Sequence, residues 1–196
     1  MQLNKFREAL RDESIYPTTE RIVDYIVNTG ERIQLKKYEC LIEYNETNDN
    51  IYFIIDGIIR RAVINGKGVE RTDGFGLCGT MVYSPQCYVL GRPSTVRIST
   101  CCETTLLKIS KTEFNRHIDE DIEFCKWMLG MFGLTVCYRE MRSDGFNGDA
   151  AERYKWLKED RPEIIENVPD KIIASYLNIT EVHLSRIKAK LLKGEP

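Results

Sequence analysis

Residues 168–193 read VPDKIIASYLNITEVHLSRIKAKLLK, and their reading decides the fold. Two short apolar patterns meet there. Ile173, Ala174 and Leu177 share one helix face, and Leu184, Ile187 and Leu191 repeat at the spacing of a second. Between the two patterns lies Leu177-Asn178-Ile179-Thr180. Asn tolerates the left-handed conformation that a sharp joint requires. Thr180 can cap a following helix by accepting a free backbone N–H. Ala174 is small where two crossing helices touch, and Pro169 suits a first helical turn. The pattern predicts a helix-turn-helix, with an ordinary helical hairpin as the alternative. In a helix-turn-helix the outer face of residues 180–190 enters a DNA major groove.

The remaining composition fits such an end on a different body. The chain has 196 residues, 42% of them hydrophobic and 30% charged, as in a globular protein of one large or two small domains. A net charge of −2 argues against indiscriminate coating of nucleic acid. From residue 171 onward, however, Lys171, Arg186, Lys188, Lys190 and Lys193 stand against Glu181 and Glu195. That is a local +3, and the whole-chain −2 then leaves −5 for the rest. The asymmetry predicts a DNA-binding end on an acidic body. No apolar run approaches the ~18 residues of a membrane span. The opening MQLNKFREALRDE is an amphipathic helix without a signal-peptide core. Both point to a cytoplasmic protein with no membrane partner. Seven cysteines without CxxC spacing predict reduced, buried thiols and no metal site. Cys101 and Cys102 are adjacent, and neighbours on a strand face opposite sides.

In chain order, helices are expected at about 3–10 and 19–28, the second with Ile22, Val23 and Ile26 apolar and ending near Gly30. From Arg32 the rhythm shortens. Strands are expected near 33–35, 41–42, 51–57 (IYFIIDG, closing on the hairpin signal Asp56-Gly57), 58–64, 97–99 and 104–109. Turns fall at Lys37, 45–50 and 65–68, and Gly74, Gly76 and Gly79 punctuate the middle. With no helix expected between about 31 and 109, this is a small antiparallel β-roll, jelly-roll-like. Ser110 and Glu113 have capping-box spacing and should open a short helix. Asp119-Glu120-Asp121 should open a long helix that runs to Ser143. It carries two apolar stripes: Ile122, Cys125, Leu129, Phe132, Val136, and Trp127, Met131, Leu134, Tyr138, Met141. One can pack on the roll. The other needs a second copy of the chain, so a two-fold homodimer is expected. Gly130 and Gly133 each cost the helix about 1 kcal/mol relative to Ala; they either allow close helix contact or are simply tolerated. Residues 143–148 read as a hinge, Asp149 and Glu152 as a second capping box, and Arg161-Pro162 as a break before one more short helix. The expected class is α+β: a β-roll sensor domain with N-terminal helices (1–117), a dimerisation helix and hinge (118–146), and a small all-α helix-turn-helix domain (147–196).

This order, together with particular residues, resembles the Crp/Fnr family of bacterial transcription regulators along nearly the whole chain. Tyr52-Phe53-Ile54-Ile55-Asp56-Gly57 looks like the family's apolar strand ending in Gly. Gly76-Leu77-Cys78-Gly79 and Gly91-Arg92-Pro93-Ser94 look like its phosphate cassette. Ile173-Ala174-Ser175-Tyr176-Leu177 through Leu184-Ser185-Arg186-Ile187 looks like its reading element. The resemblance implies a DNA-binding homodimer with RNA polymerase as a further partner. It places an effector pocket at Gly79, Arg92 and Ser94. Members that bind cyclic nucleotides use a Glu after the first cassette Gly and an Arg-Ser pair. Here those positions hold Leu77 and Arg92-Pro93, and Pro has no N–H to donate. The segment from Gly79 to Arg92 also looks longer. Cyclic AMP is therefore not expected, and another small effector, or none, is. No cofactor is expected either. The N-terminal cysteine cluster of the iron–sulfur type is missing, since Cys40 comes first and alone. His117, near a helix end, reads as a dipole partner, and His183 lies on the reading helix.

Within that helix, Thr180, Glu181, His183 and Ser185 stand near the N-terminus. Arg186 matches the family's recognition Arg and suits guanine O6 and N7. Lys188, Lys190 and Lys171 suit phosphates. Val182 stands where the family often has a base-reading Glu, which puts the usual site sequence in doubt. The family's wing has extra strands, and none is visible after Asn147. Two other classes compete with this reading. A cupin-like metal enzyme needs strand-borne histidines, and there are none before His117. A protein-interaction scaffold with a degenerate helix-turn-helix fits the low basicity and Val182. No nucleophile–base pair or phosphate loop stands out, so catalysis is not expected.

Overall fold

The computed structural model describes residues 2–12, 16–145 and 148–192, excepting the side chains of 12, 138–139 and 141–145. Eight strands, β1 (Glu31–Leu35), β2 (Cys40–Ile42), β3 (Asn50–Asp56), β4 (Ile59–Ile64), β5 (Glu70–Gly76), β6 (Met81–Val82), β7 (Val96–Thr100) and β8 (Thr104–Ser110), form two antiparallel sheets. Their orders are β1-β8-β3-β6 and β2-β7-β4-β5. Helices α1 (Gln2–Asp12) and α2 (Glu20–Thr29) precede them, and α3 (Pro85–Leu90) interrupts them. Then come α4 (Lys111–Glu120), α5 (Ile122–Gly145), α6 (Ala150–Asp160), α7 (Pro162–Asn167), α8 (Asp170–Leu177) and α9 (Glu181–Leu192).

Strand β3 is apolar on both faces because both are covered. Ile51, Phe53 and Ile55 pack with Phe6 and Leu10 of α1, Ile22, Val23 and Ile26 of α2, and Phe124 and Trp127 of α5. Tyr52 and Ile54 face the other way, onto Ile59, Val96, Ile98 and Leu106. Each such side chain stabilises the fold by roughly 1.5–3 kcal/mol on full burial. The indole N–H of Trp127 donates to Thr18 Oγ1 at 2.9 Å, which satisfies the one polar atom of the largest fully buried side chain. The β3–β4 turn has Gly57 at φ 99°, and a Cβ there would fall 2.5 Å from Thr104 Oγ1. The Asp56-Gly57 hairpin signal is thus a steric requirement as well as a conformational one.

Several expectations are corrected. The span from 31 to 109 does hold a helix, α3: Pro85 starts it and Gly91 ends it at φ 59°. The long helix does not begin at Asp119-Glu120. Those residues end α4, and Asp121 separates the helices, its N–H bonded to His117 O while its Oδ1 accepts from Glu123 N and Phe124 N. Cys101 and Cys102 lie in the β7–β8 turn rather than on a strand. His117 lies in the last turn of α4, as expected, but more than the helix end surrounds it. Its ring stacks on Tyr25 (3.6 Å between centroids), and burial lowers its pKa despite Asp121. Gly130 makes room for the Tyr16 ring, 2.7 Å from where its Cβ would lie, rather than for another helix. The Tyr138 and Met141 side chains, the middle of the hinge and residues 193–196 lie outside the described residues.

Candidate nucleic-acid interface

The C-terminal head is built from α6 to α9. Asp149 opens α6 with the expected reciprocal box: its Oδ1 accepts from Ala151 N (2.7 Å) and Glu152 N (2.9 Å), and Glu152 Oε2 accepts from Asp149 N (2.7 Å). Those bonds hold the Asp149 carboxyl below its usual pKa. At the joint, Asn178 takes φ 57°, ψ 43°. Ile179 N donates to Ala174 O (3.0 Å) and Asn178 N to Ser175 O (3.3 Å), the paired bonds of a Schellman helix end. Thr180 Oγ1 accepts from His183 N at 3.2 Å, which starts α9. Ile173, Ala174, Leu177, Leu184 and Ile187 form the shared core with Tyr154, Leu157 and Ile164. The two helices therefore cross at one fixed angle.

That core leaves the outer face of α9 free. Thr180, Glu181, His183, Ser185, Arg186 and Lys190 are exposed together, as is Lys171 at the start of α8. Val182 belongs to the same surface, 62% exposed. Lys188 differs. It is half-buried, paired with Asp170 and 6.0 Å from the Tyr154 ring centre, so it ties α9 to α8 and α6. Arg153 escaped the sequence reading. Its Nη1 donates to Gly148 O (2.6 Å) and Nη2 to Leu177 O (3.1 Å), joining the hinge end to the helix-turn-helix joint. Residues 148–192 contain no strand, so they carry no wing.

The head is docked on the roll. Thr72 N donates to Ser175 Oγ (2.9 Å), Phe75 packs on Tyr176 (5.0 Å), and Ile58 and Cys101 share the head's core. Such long-range pairing left no mark in the sequence.

On α5 the two stripes part. Trp127 and Met131 are buried against the roll. Ile122, Leu129 and Val136, seven residues apart, are 71%, 65% and 56% exposed, with Cys125 and Phe132 half-buried between them. The three pocket residues do not converge. A Cβ on Gly79 would fall 2.7 Å from the Ala9 backbone, so this glycine admits α1. Arg92 points to solvent. Ser94 is buried and bonded to Ser84 Oγ (2.9 Å) and Val96 O (2.8 Å). Between roll, α3 and α5 lies an apolar crevice of about 120 Å³ lined by Ile51, Met81, Tyr83, Tyr88, Met128 and Phe132, too narrow to admit water.

No protein-family model matches the sequence, and no curated protein matches it. Solved structures do. FixK2 of Bradyrhizobium japonicum is 15% identical at TM-score 0.71, covering 84% of this chain and 85% of that one. The c-di-GMP-responsive global regulator CLP of Xanthomonas campestris is 13% identical at 0.69, covering 88% and 91%. The catabolite activator protein of Thermus thermophilus is 12% identical at 0.56, covering 90% and 85%. No helix among the described residues is long and apolar enough to cross a membrane. The chain has the Crp/Fnr fold: an antiparallel β-roll, a long helix and a C-terminal helix-turn-helix.

Proposed function

We propose that the chain is a DNA-binding transcription regulator acting as a homodimer on an inverted-repeat site. The observation that carries this reading is the exposed polar face of α9, set by a helix-turn-helix joint with a left-handed Asn178 and a Thr180 cap. The exposed heptad of Ile122, Leu129 and Val136 supports pairing through α5. A two-fold pair presents two α9 helices about 34 Å apart, one DNA turn. Thr180, Glu181, His183 and Ser185 approach the groove edge and bases, Arg186 reads a guanine, and Lys171 and Lys190 take phosphates. RNA polymerase is the partner expected of such a regulator.

The effector, where there is one, is a small molecule other than cyclic AMP. The Leu77 side chain offers no acceptor to a ribose hydroxyl, Arg92 faces solvent, and the crevice between roll and α5 is too narrow even for water. The test of the reading is Arg186→Ala on a selected DNA site. Binding should weaken by roughly 1–3 kcal/mol and one base position should relax. An unchanged footprint would remove Arg186 from base reading.

A further inference from the structure

The edge of the roll reaches the helix-turn-helix joint, and it does so with uncancelled positive charge. Three contacts place β5 against α8. Phe75 meets Tyr176, Thr72 meets Ser175, and Arg71 Nη1 lies 3.5 Å from Asn178 Oδ1. Arg71, the lowest-numbered of the three β5 residues, is thus the one that reaches the joint, two residues before Thr180, the cap of α9. The hairpin continues beyond Arg71. Its last pair is Ile64 with Glu70, and residues 64–69 are exposed throughout. At about 3.3 Å per residue, Val69 lies roughly 7 Å beyond Arg71.

This tip is pre-formed. Asn65 Oδ1 accepts from Lys67 N (2.9 Å) and Val69 N (3.0 Å), and Gly68 N donates to Asn65 O (2.9 Å). Its charges are Lys67, Glu70 and Arg71. Glu70 is already bound by Arg60 at 2.8 Å and lies 3.8 Å from Arg97, whereas Lys67 has no ion pair with any described residue. An acidic body thus shows a cationic hairpin tip on the strand whose Arg71 meets the helix-turn-helix joint. In a major-groove complex the N-terminus of α9 points at the bases, so its flanks lie against the phosphates. The head itself has committed part of its basic charge internally, in Lys188 to Asp170 and Arg153 to two carbonyls.

We propose that the β4–β5 hairpin of the roll is a second DNA-contacting element, with Lys67 and Arg71 placed against phosphates flanking the half-site read by α9. This rests on the DNA-binding reading above. It implies that the sensor domain, docked as here, adds directly to DNA affinity. A shift of roll against head would then change binding without touching α9.

The test uses the full chain and its selected DNA site, titrated by fluorescence anisotropy between 50 and 200 mM salt. Each lost phosphate contact lowers the slope of log K against log salt by about 0.9. Lys67→Ala should therefore reduce it by roughly 2 in a two-fold dimer, with the preferred sequence unchanged, and Lys67→Glu should weaken binding further. Thermal unfolding should be unchanged in both, because Lys67 sits at an exposed turn. Lys67→Glu binding with the parental slope and affinity, while Arg186→Ala still relaxes a base position, would overturn the hairpin contact and leave the DNA reading standing. A parental chain that selects no DNA would overturn both.

Discussion

Asn178 sets the angle between α8 and α9, and its conformation makes a graded prediction. At φ 57°, ψ 43° it occupies a region that costs most L-residues about 1–2 kcal/mol. Asn bears less of that cost and Gly none. The contact to Arg71 is 3.5 Å and exposed, so it contributes little. The two backbone bonds of the joint survive any substitution that keeps the N–H and the angle. Asn178→Gly should therefore match the parent within about 1 kcal/mol, its steric relief offset by the larger freedom of Gly in the unfolded chain. Asn178→Ala should lose about 1 kcal/mol, and the β-branched Asn178→Val about 2 kcal/mol. Urea unfolding at 25 °C, followed through the Trp127 and Trp156 emission, measures the series. DNA affinity should follow the same order, because a strained joint misdirects α9. Val as stable as Asn, or Gly less stable than Ala, would refute the left-handed joint as the determinant of the fold's reading end.

Two further outcomes follow from other parts of the structure. Leu129→Lys puts a charge into the exposed heptad of α5 and should dissociate the proposed dimer. With roughly 1.5–3 kcal/mol lost per buried Leu and two copies per interface, sedimentation should show a dissociation constant raised at least a hundredfold; an unchanged mass at micromolar concentration would count against pairing through α5. His117, half-buried on Tyr25, resists protonation, and its lowered pKa makes the unfolded state the better proton binder. Stability should be full above pH 6.5, the ordinary value, and fall as pH drops below it towards the folded value. His117→Phe should flatten that slope between pH 7 and 5, and a slope that survives the substitution would place its origin elsewhere.

The parts of this molecule that were legible in its sequence are those governed by neighbours a few residues apart. Asn178, Thr180 and the Asp149–Glu152 box act through bonds spanning two to five residues, and each is where the pattern placed it. The limits of the six expected strands follow from turn chemistry of similar reach, whereas β5 and β6 lie among Gly74, Gly76 and Gly79, where no apolar run announces a strand. Helix α3 was missed although Ser84-Pro85 and Gly91 bracket it, because six residues carry no helical periodicity. Of Asp119-Glu120-Asp121, which favours a helix start at any of three positions, only Asp121 stands at the start of α5, while Asp119 and Glu120 end α4. The candidate pocket at Gly79, Arg92 and Ser94 was drawn by resemblance, whereas their placement depends on α1 filling the space at Gly79. The docking of α8 on β5 joins residues about a hundred positions apart, through Thr72 and Ser175. Neither partner is unusual for its own element, so nothing local announces it.

The central claim is that α9 reads DNA in pairs, and selection of bound fragments from random duplex DNA, with sequencing, tests it most directly. The full chain should enrich an inverted repeat whose half-sites lie one turn, about 10–10.5 base pairs, apart. Recovery of unenriched sequence, or of a single half-site without its mirror, would contradict it.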